Sequence, residues 1–312
     1  MGAGTIVSLG LFVLPVGVSL GILLGLDAYR SATGQPRLFL NSGIKNETYC
    51  QTSFGITPNV LSGQQYTLNP NQWGLDTGES SNLCMNVTVF ENGTYPTKTT
   101  APAWSITWQY APKAETAPVH GFPNIQIDNE GTFPVLVSDL YSVEIDAQWM
   151  YSVGDTPAAT LDTTQFSSSE AMINTNVAID IFLDPDATNA QSTKNAKYEI
   201  MVWLATFGTA TQQIGFAQGS RDTVTLNDGT VFDLYYGTNE VTDQIVLTWS
   251  SASAITDFSA DISPLLKKDY SSIGGPTPED YMGYMALGSE VLNSNVNVTL
   301  SVPHLSMNIT KS

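Results

Sequence analysis

From Tyr49 onward the chain is a succession of short runs in which apolar and polar side chains alternate, and this period of two constrains the fold more than anything else in the sequence. The runs are Trp104–Tyr110, Asn124–Ile127, Tyr141–Met150, Asn176–Leu183, Tyr198–Leu204, Thr223–Leu226, Val231–Tyr236, Gln244–Ser250, Met282–Leu287 and Val296–Val302. Turn residues such as Asp184-Pro185-Asp186 and Asn227-Asp228-Gly229 separate them, and the second of these predicts a hairpin. One segment alone predicts a helix, Ile262–Tyr270, with Asp261 or Ser263 as cap and Pro264 in its first turn. There is no strand–helix–strand alternation, internal repeat or low-complexity block. The expectation is an all-β protein, a jelly roll of two bent antiparallel sheets with a concave cleft and one short helix. Thr156–Asn174, rich in Thr, Ser and Ala, reads as an exposed loop insertion.

Charge and composition exclude several classes. With a net charge of −18 and only 11 Lys plus Arg, the chain repels a phosphate backbone, so no nucleic acid partner is expected. His120 and His304 stand far apart, which argues against a zinc cluster, and His304 reads as a packed or surface residue. There is no G-x-S-x-G, no phosphate-binding glycine loop and no H-E-x-x-H, so neither a metal nor an organic cofactor is implied. The two cysteines, Cys50 and Cys84, are either one disulfide or two buried thiols.

Met1 to Leu26 carries no charged side chain and is about long enough to span a bilayer. It reads as a secretory signal or an uncleaved signal-anchor over residues 1–26, followed by a linker over 27–48 and one body over 49–312. Arg30 and Arg37 after the apolar run favour a cytoplasmic C-terminal side, whereas five N-x-T acceptors, at Asn46, Asn86, Asn92, Asn297 and Asn308, favour the secretory lumen. The acceptors decide for an extracellular body, secreted or membrane-anchored, and a monomer is expected.

Chemistry-bearing residues fall on three strands. In Tyr198–Leu204, Tyr198, Ile200, Val202 and Leu204 form one apolar face and Glu199, Met201 and Trp203 the other. A carboxylate between a thioether and an indole is an odd solvated face but a reasonable cleft floor, since Trp stacks on sugars and a carboxylate can attack an anomeric carbon. The competing reading is a solvated Glu beside two half-buried apolar residues. Asp180 interrupts the polar face of a strand whose other face is Val177, Ile179, Ile181 and Leu183, and an acid there needs a partner or a function. Glu290 ends a late strand just after Gly288, a residue that permits close approach of ligand or backbone. Two carboxyls about 5–5.5 Å apart would suit a retaining glycosidase, with a third tuning the nucleophile.

These residues make the chain resemble glycoside hydrolase family 12. Glu199-Ile200-Met201-Val202-Trp203 is similar to the family's nucleophile strand, Val177-Ala178-Ile179-Asp180-Ile181-Phe182 to its V-A-Y-D-[LM]-F strand, Pro70-Asn71-Gln72-Trp73-Gly74 to its N-N-x-W-G segment, Leu234-Tyr235-Tyr236-Gly237 to its L-Y-Y-G, and Gly288-Ser289-Glu290 to its G-T-E. Cys50 and Cys84 match the cysteines on either side of the N-N-x-W-G segment. The resemblance implies a β-1,4-glucan substrate, Glu199 as nucleophile with Asp180 supporting it, and Glu290 as general acid/base. It also implies Trp73 and Asn71 as sugar-binding residues, Met201 and Trp203 lining the cleft, and a Cys50–Cys84 disulfide. In that scheme Glu290 has a raised pKa while Glu199 stays ionised. Three departures stand out: Phe54 replaces a Trp expected soon after the first cysteine, Val291-Leu292 replaces the usual Pro-Phe, and the Thr156–Asn174 insertion is positioned to reshape a rim. The rival expectation is a non-catalytic, lectin-like glucan-binding jelly roll.

Overall fold

The computed structural model describes residues 21–30, 32–33, 43–50, 55–73, 81–111, 119–168 and 171–312. The chain divides into two compact units, 1–44 and 45–312. In the first, residues 21–30 are helical, and most of the apolar leader (1–20) lies outside the described residues. Among the described residues no helix is long and apolar enough to cross a membrane.

The second unit is built from strands: β1 (Ile44–Cys50, beginning at the unit boundary), β2 (Tyr66–Asn69), β3 (Ser81–Phe90), β4 (Ala103–Tyr110), β5 (Asn124–Ile127), β6 (Val135–Leu136), β7 (Leu140–Val153), β8 (Asn174–Asp184), β9 (Tyr198–Phe207), β10 (Asp222–Thr225), β11 (Val231–Thr238), β12 (Ile245–Ser251), β13 (Asp257–Asp261), β14 (Tyr281–Gly288) and β15 (Val291–Lys311). Two layers form. The back sheet runs β1-β3-β4-β15-β7-β13, and the cleft sheet runs β2-β5-β14-β8-β9-β12-β11-β10, with β6 also on β14. β15 belongs to both, because Val291 and Asn293 pair with β8 before the strand continues between β4 and β7.

Between the layers lies the core that the alternation predicts. Leu83, Met85, Ile106, Trp108, Trp149, Tyr151 and Leu300 of the back sheet meet Val177, Ile179, Ile181, Ile200, Val202, Phe232 and Trp249 of the cleft sheet. Each such side chain contributes roughly 1.5–3 kcal/mol by leaving water. Polar tips of buried aromatics find partners, as where Trp108 Nε1 donates to the Tyr151 hydroxyl at 2.9 Å and Trp249 Nε1 to the Tyr270 hydroxyl at 3.0 Å.

Two features differ from the sequence reading. One ladder is parallel: β12 runs beside β9 in the same direction, with Val246 opposite Glu199 and Thr248 opposite Met201. The hairpins β10–β11 and β11–β12 are antiparallel, so the 208–221 connection must carry the chain back past the face of the sheet. Ile214 in that connection packs with the apolar residues of the cleft face, and Gln213 Nε2 donates to Ser250 Oγ at 2.7 Å. Periodicity reports that a segment is a strand, not which way it runs. The helix is also shorter than Ile262–Tyr270, reaching only from Ser263 to Leu266. The Leu265 carbonyl accepts the Tyr270 hydroxyl, and Tyr270 turns inward beneath Trp249, so side-chain burial ends the helix. The predicted hairpin is present, with Leu226 N–H donating to the Thr230 carbonyl at 2.8 Å and Gly229 at φ 90°. Strand β1 takes in residues 44–48 of the stretch read as linker.

Candidate active site

Register brings the three predicted acids to one place. On β8, Asp180 lies opposite Met201 of β9 and Ala286 of β14, while Phe182 lies opposite Glu199 and Tyr284. Glu199 and Asp180 are thus diagonal neighbours on adjacent strands, both on the face away from the core. Glu290 occupies the break between β14 and β15, beside the start of β8. Around them opens a cleft of about 650 Å³ whose lining includes Asn71, Trp73, Asp180, Glu199, Met201 and Glu290. Its floor is apolar, formed by Phe122, Ala178, Met201, Trp203, Val246 and Ala286. Trp203, expected to line the cleft with Met201, lies beneath its surface. It is buried in that floor, and its Nε1 donates to Met201 Sδ at 3.3 Å.

The electrostatics of the three acids are set by exclusion from water and by one another. Asp180 is raised well above an ordinary carboxyl, first by burial and then by the charges of Glu199 and Glu290. Its proton is thus held more tightly than an ordinary carboxyl's, and the hydrogen bonding between the two acids favours the ionised Glu199. Burial nevertheless pushes Glu199 up to about 7, with repulsion from Glu290 adding to it. Burial also pushes Glu290 up to about 7, against the opposing pull of a hydrogen bond from Asn176. Burial therefore raises Glu290 as expected and raises Glu199 with it, because both carboxyls are similarly removed from water.

Asn176 is the residue that sequence reasoning missed. Its Nδ2 donates to Glu290 Oε2, and its Oδ1 accepts the Glu290 N–H at 2.8 Å, so one amide grips both ends of the residue. The signal was present, since Asn176 precedes Asp180 by four positions and shares its face. Behind Glu290, the Ser289 hydroxyl lies 2.8 Å from the Tyr151 hydroxyl and 2.7 Å from Thr175 Oγ1, and Thr175 Oγ1 donates to the Glu290 carbonyl at 2.7 Å. Gly288 proves to be needed for backbone packing, as a Cβ there would come within 2.5 Å of the Pro123 carbonyl oxygen.

Trp73 stands at one end of the cleft with 43% of its surface exposed. Short bridges tie it to the acid segment: Trp73 N–H donates to the His120 carbonyl at 2.8 Å, Gly121 bridges both Gln72 and Val291, and Val291 N–H donates to the Gly121 carbonyl at 3.0 Å. Asn71 sits in the left-handed region at φ 45° and its Nδ2 donates to the Phe122 carbonyl at 3.3 Å. Val291 and Leu292 are buried rather than facing the cleft, and proline at 291 would lack the N–H that Gly121 receives. Phe54 lies outside the described residues. The Pro157–Ala159 part of the insertion lies along a groove on the back sheet rather than at the cleft. Phe166 from the same insertion enters the core.

Cys50 and Cys84 form a disulfide that links the end of β1 to β3. Asn46, Asn86 and Asn92 are exposed, whereas Asn297 and Asn308 are partly buried. His304 Nε2 lies 3.1 Å from Asp146 Oδ2 at the surface of β15. Among the described residues no group of three or more His, Cys, Asp or Glu is placed to hold a metal ion.

A jelly roll whose cleft joins one buried and two half-buried carboxyls to an exposed indole defines a class, the glycoside hydrolases. A family model of glycosyl hydrolase family 12 matches residues 64–310, and the chain belongs to that family. Among its relatives, the probable xyloglucan-specific endo-beta-1,4-glucanase A of Aspergillus flavus is 27% identical over 238 residues, covering 76% of this chain and 83% of that one. The protein named inactive glycoside hydrolase XLP1, of Phytophthora nicotianae, is also 27% identical, over 243 residues and the same 76% of this chain, covering 84% of its own. Among solved structures, the Trichoderma harzianum endoglucanase 3 superposes with a TM-score of 0.64 at 23% identity, covering 85% of this chain and 98% of its own.

Proposed function

We propose that the protein is an endo-acting hydrolase of β-1,4-glucans that retains anomeric configuration. The observation that carries this is the pairing of distinct supports in one cleft: Glu199 diagonal to Asp180 on the adjacent strand, and Glu290 gripped by Asn176. In the first step Glu199 attacks C1 while Glu290 gives its proton to the departing glycosidic oxygen. In the second, Glu290 takes a proton from water, the water oxygen attacks C1, and the bond to Glu199 breaks. The Asp180 proton offsets the negative charge on Glu199 before attack and after release. Trp73 supplies a stacking face for a glucosyl ring, with Asn71 beside it.

The backbone shared by cellulose, mixed-linkage glucan and xyloglucan is the substrate class, and the Aspergillus relatives bear xyloglucan in their names. The rival reading is a non-catalytic glucan-binding protein, and one relative's name says that this fold exists in an inactive form. Retention of Asp180, Glu199 and Glu290 favours catalysis. Release of reducing ends from xyloglucan, mixed-linkage β-glucan and carboxymethylcellulose tests it. New reducing ends spread across internal bonds are expected, and binding without release would establish the rival.

We further propose that residues 49–312 form one exported catalytic body, monomeric and outside the cell. The apolar leader and the five acceptor sites support this. Expression of the full chain in a fungal host with fractionation is expected to place glycosylated protein in the medium or on the membrane's outer face. Unglycosylated protein in the cytosol would contradict it.

A further inference from the structure

The back sheet carries a groove of its own, about 720 Å³, that shares no lining residue with the cleft of the acids. That volume falls in the range of ligand sites, roughly 300–1,000 Å³. One row of cross-strand neighbours makes its floor: Asn86 of β3 opposite Ser105 of β4, Ser105 opposite Ser301 of β15, and Ser301 opposite Met150 of β7. Three steps between strands give a trough roughly 14 Å long. The two serines in the middle leave it open. Thr88, two residues on from Asn86, also lines it, as do Pro157 and Pro303. Hydroxyls flanked by apolar walls suit a sugar, which presents apolar ring faces and polar edges. The base of the 155–159 loop is fixed, since Ser152 Oγ donates to the Thr156 carbonyl at 2.8 Å and Gly154 N–H to the Asn297 carbonyl at 2.7 Å.

The trough begins at a glycosylation acceptor. In Asn86-Val87-Thr88 the Asn86 Oδ1 accepts the Thr48 hydroxyl at 2.6 Å, and in the facing acceptor Asn46 Oδ1 accepts the Thr88 hydroxyl at 3.0 Å. These bonds use oxygens and leave the sugar-bearing nitrogen of Asn86 outside them. The other two strand-borne acceptors differ: Asn297 Nδ2 donates to Asp155 Oδ1 at 2.6 Å, and Asn308 Nδ2 to Glu144 Oε2 at 3.1 Å. We propose that the groove is the seat of the chain's own N-linked glycan, attached at Asn86, whose inner sugars lie along Ser105 and Ser301 toward Met150. Attachment decides for this occupant over a free glucan chain. A tethered sugar meets the groove at an effective concentration in the mM range, so contacts too weak to capture a free ligand suffice.

The inference rests on the export reading above, and the test separates the two. The full chain is expressed in a secreting eukaryotic host, and occupancy at each acceptor is read by glycopeptide mass spectrometry. The folded protein is then treated with peptide-N-glycosidase without denaturant. Asn92, exposed in a turn, is the internal control. The Asn86 glycan is expected to be released at least about tenfold more slowly than the Asn92 glycan, and at the Asn92 rate in Ser105→Tyr, which fills the floor. Met150 is expected to form its sulfoxide in dilute peroxide several-fold more slowly in the glycosylated protein than in Asn86→Gln. An empty Asn86 beside an occupied Asn92 overturns the inference and leaves export standing. Equal release rates, resistance that persists in Ser105→Tyr, or unchanged Met150 oxidation also overturn it. Sugar at none of the acceptors overturns both readings.

Discussion

Glu290 and Glu199 are chemically alike and similarly buried, so what separates them is the neighbour each one meets. Glu199 meets the carboxyl of Asp180 and Glu290 an amide. Replacing either by Gln is expected to leave a folded protein with kcat lowered at least about 10²–10⁴-fold. Near-full activity in either variant refutes the assignment. Asn176 is expected to act as a positioning residue. Its donor lowers the Glu290 pKa, so removing it in Asn176→Ala raises that pKa and moves the alkaline limb of the kcat/KM profile to higher pH. A buried bond worth about 1–3 kcal/mol corresponds to a kcat loss of roughly 5–100-fold, with KM little changed. An alkaline limb that stays in place would mean that Asn176 only fills space. Asp180, Glu199 and Glu290 were legible because acids on otherwise apolar strands are conspicuous. Asn176 shares the face of Asp180 but stands out far less, since an uncharged amide near a strand's start looks like a turn residue. The shared elevation of the two pKa values was not legible, since it depends on burial that no local pattern reports.

At the level of elements, the two faces of β8 and β9 were readable residue by residue. Val177, Ile179, Ile181, Ile200 and Val202 enter the core, and Asp180, Glu199 and Met201 line the cleft. Trp203 shares their face yet lies under the cleft, because a large indole beside Met201 packs down as floor. Strand β3 does alternate, with Leu83, Met85 and Val87 entering the core, whereas β1 and β13 carry much weaker apolar alternation. The place of β1 is set by pairing with β3 and by the disulfide, and that of β13 by pairing with β7. The Cys50–Cys84 bridge closes a loop that contains Trp73, with a sequence separation of 34. A loop of that size is worth roughly 3–4 kcal/mol. A non-reduced digest is expected to yield the linked peptides, and Cys50→Ser/Cys84→Ser to unfold at lower denaturant. Two alkylatable thiols in fresh protein would contradict the bridge.

At the scale of the whole molecule, burying acids makes the fold sensitive to pH. Glu199 and Glu290 are raised from the ordinary 4.5 to about 7, so the folded protein keeps protons that the unfolded chain has released. Their contribution to stability is complete below about pH 4.5 and is lost as pH rises through about 7. The net charge of −18 adds repulsion in the same direction. The melting temperature is therefore expected to fall across that interval, and to fall less steeply in Glu199→Gln/Glu290→Gln; equal slopes would contradict the burial argument. The same two carboxyls carry the function, and covalent trapping examines them most directly. The protein would be incubated with an activated 2-deoxy-2-fluoro-β-cellobioside, whose fluorine slows hydrolysis of a glycosyl-enzyme, and its peptides weighed. One fluorosugar is expected on Glu199, with none in Glu199→Gln. A label on Glu290, or turnover of natural glucan by a protein that accumulates no label, would contradict the account.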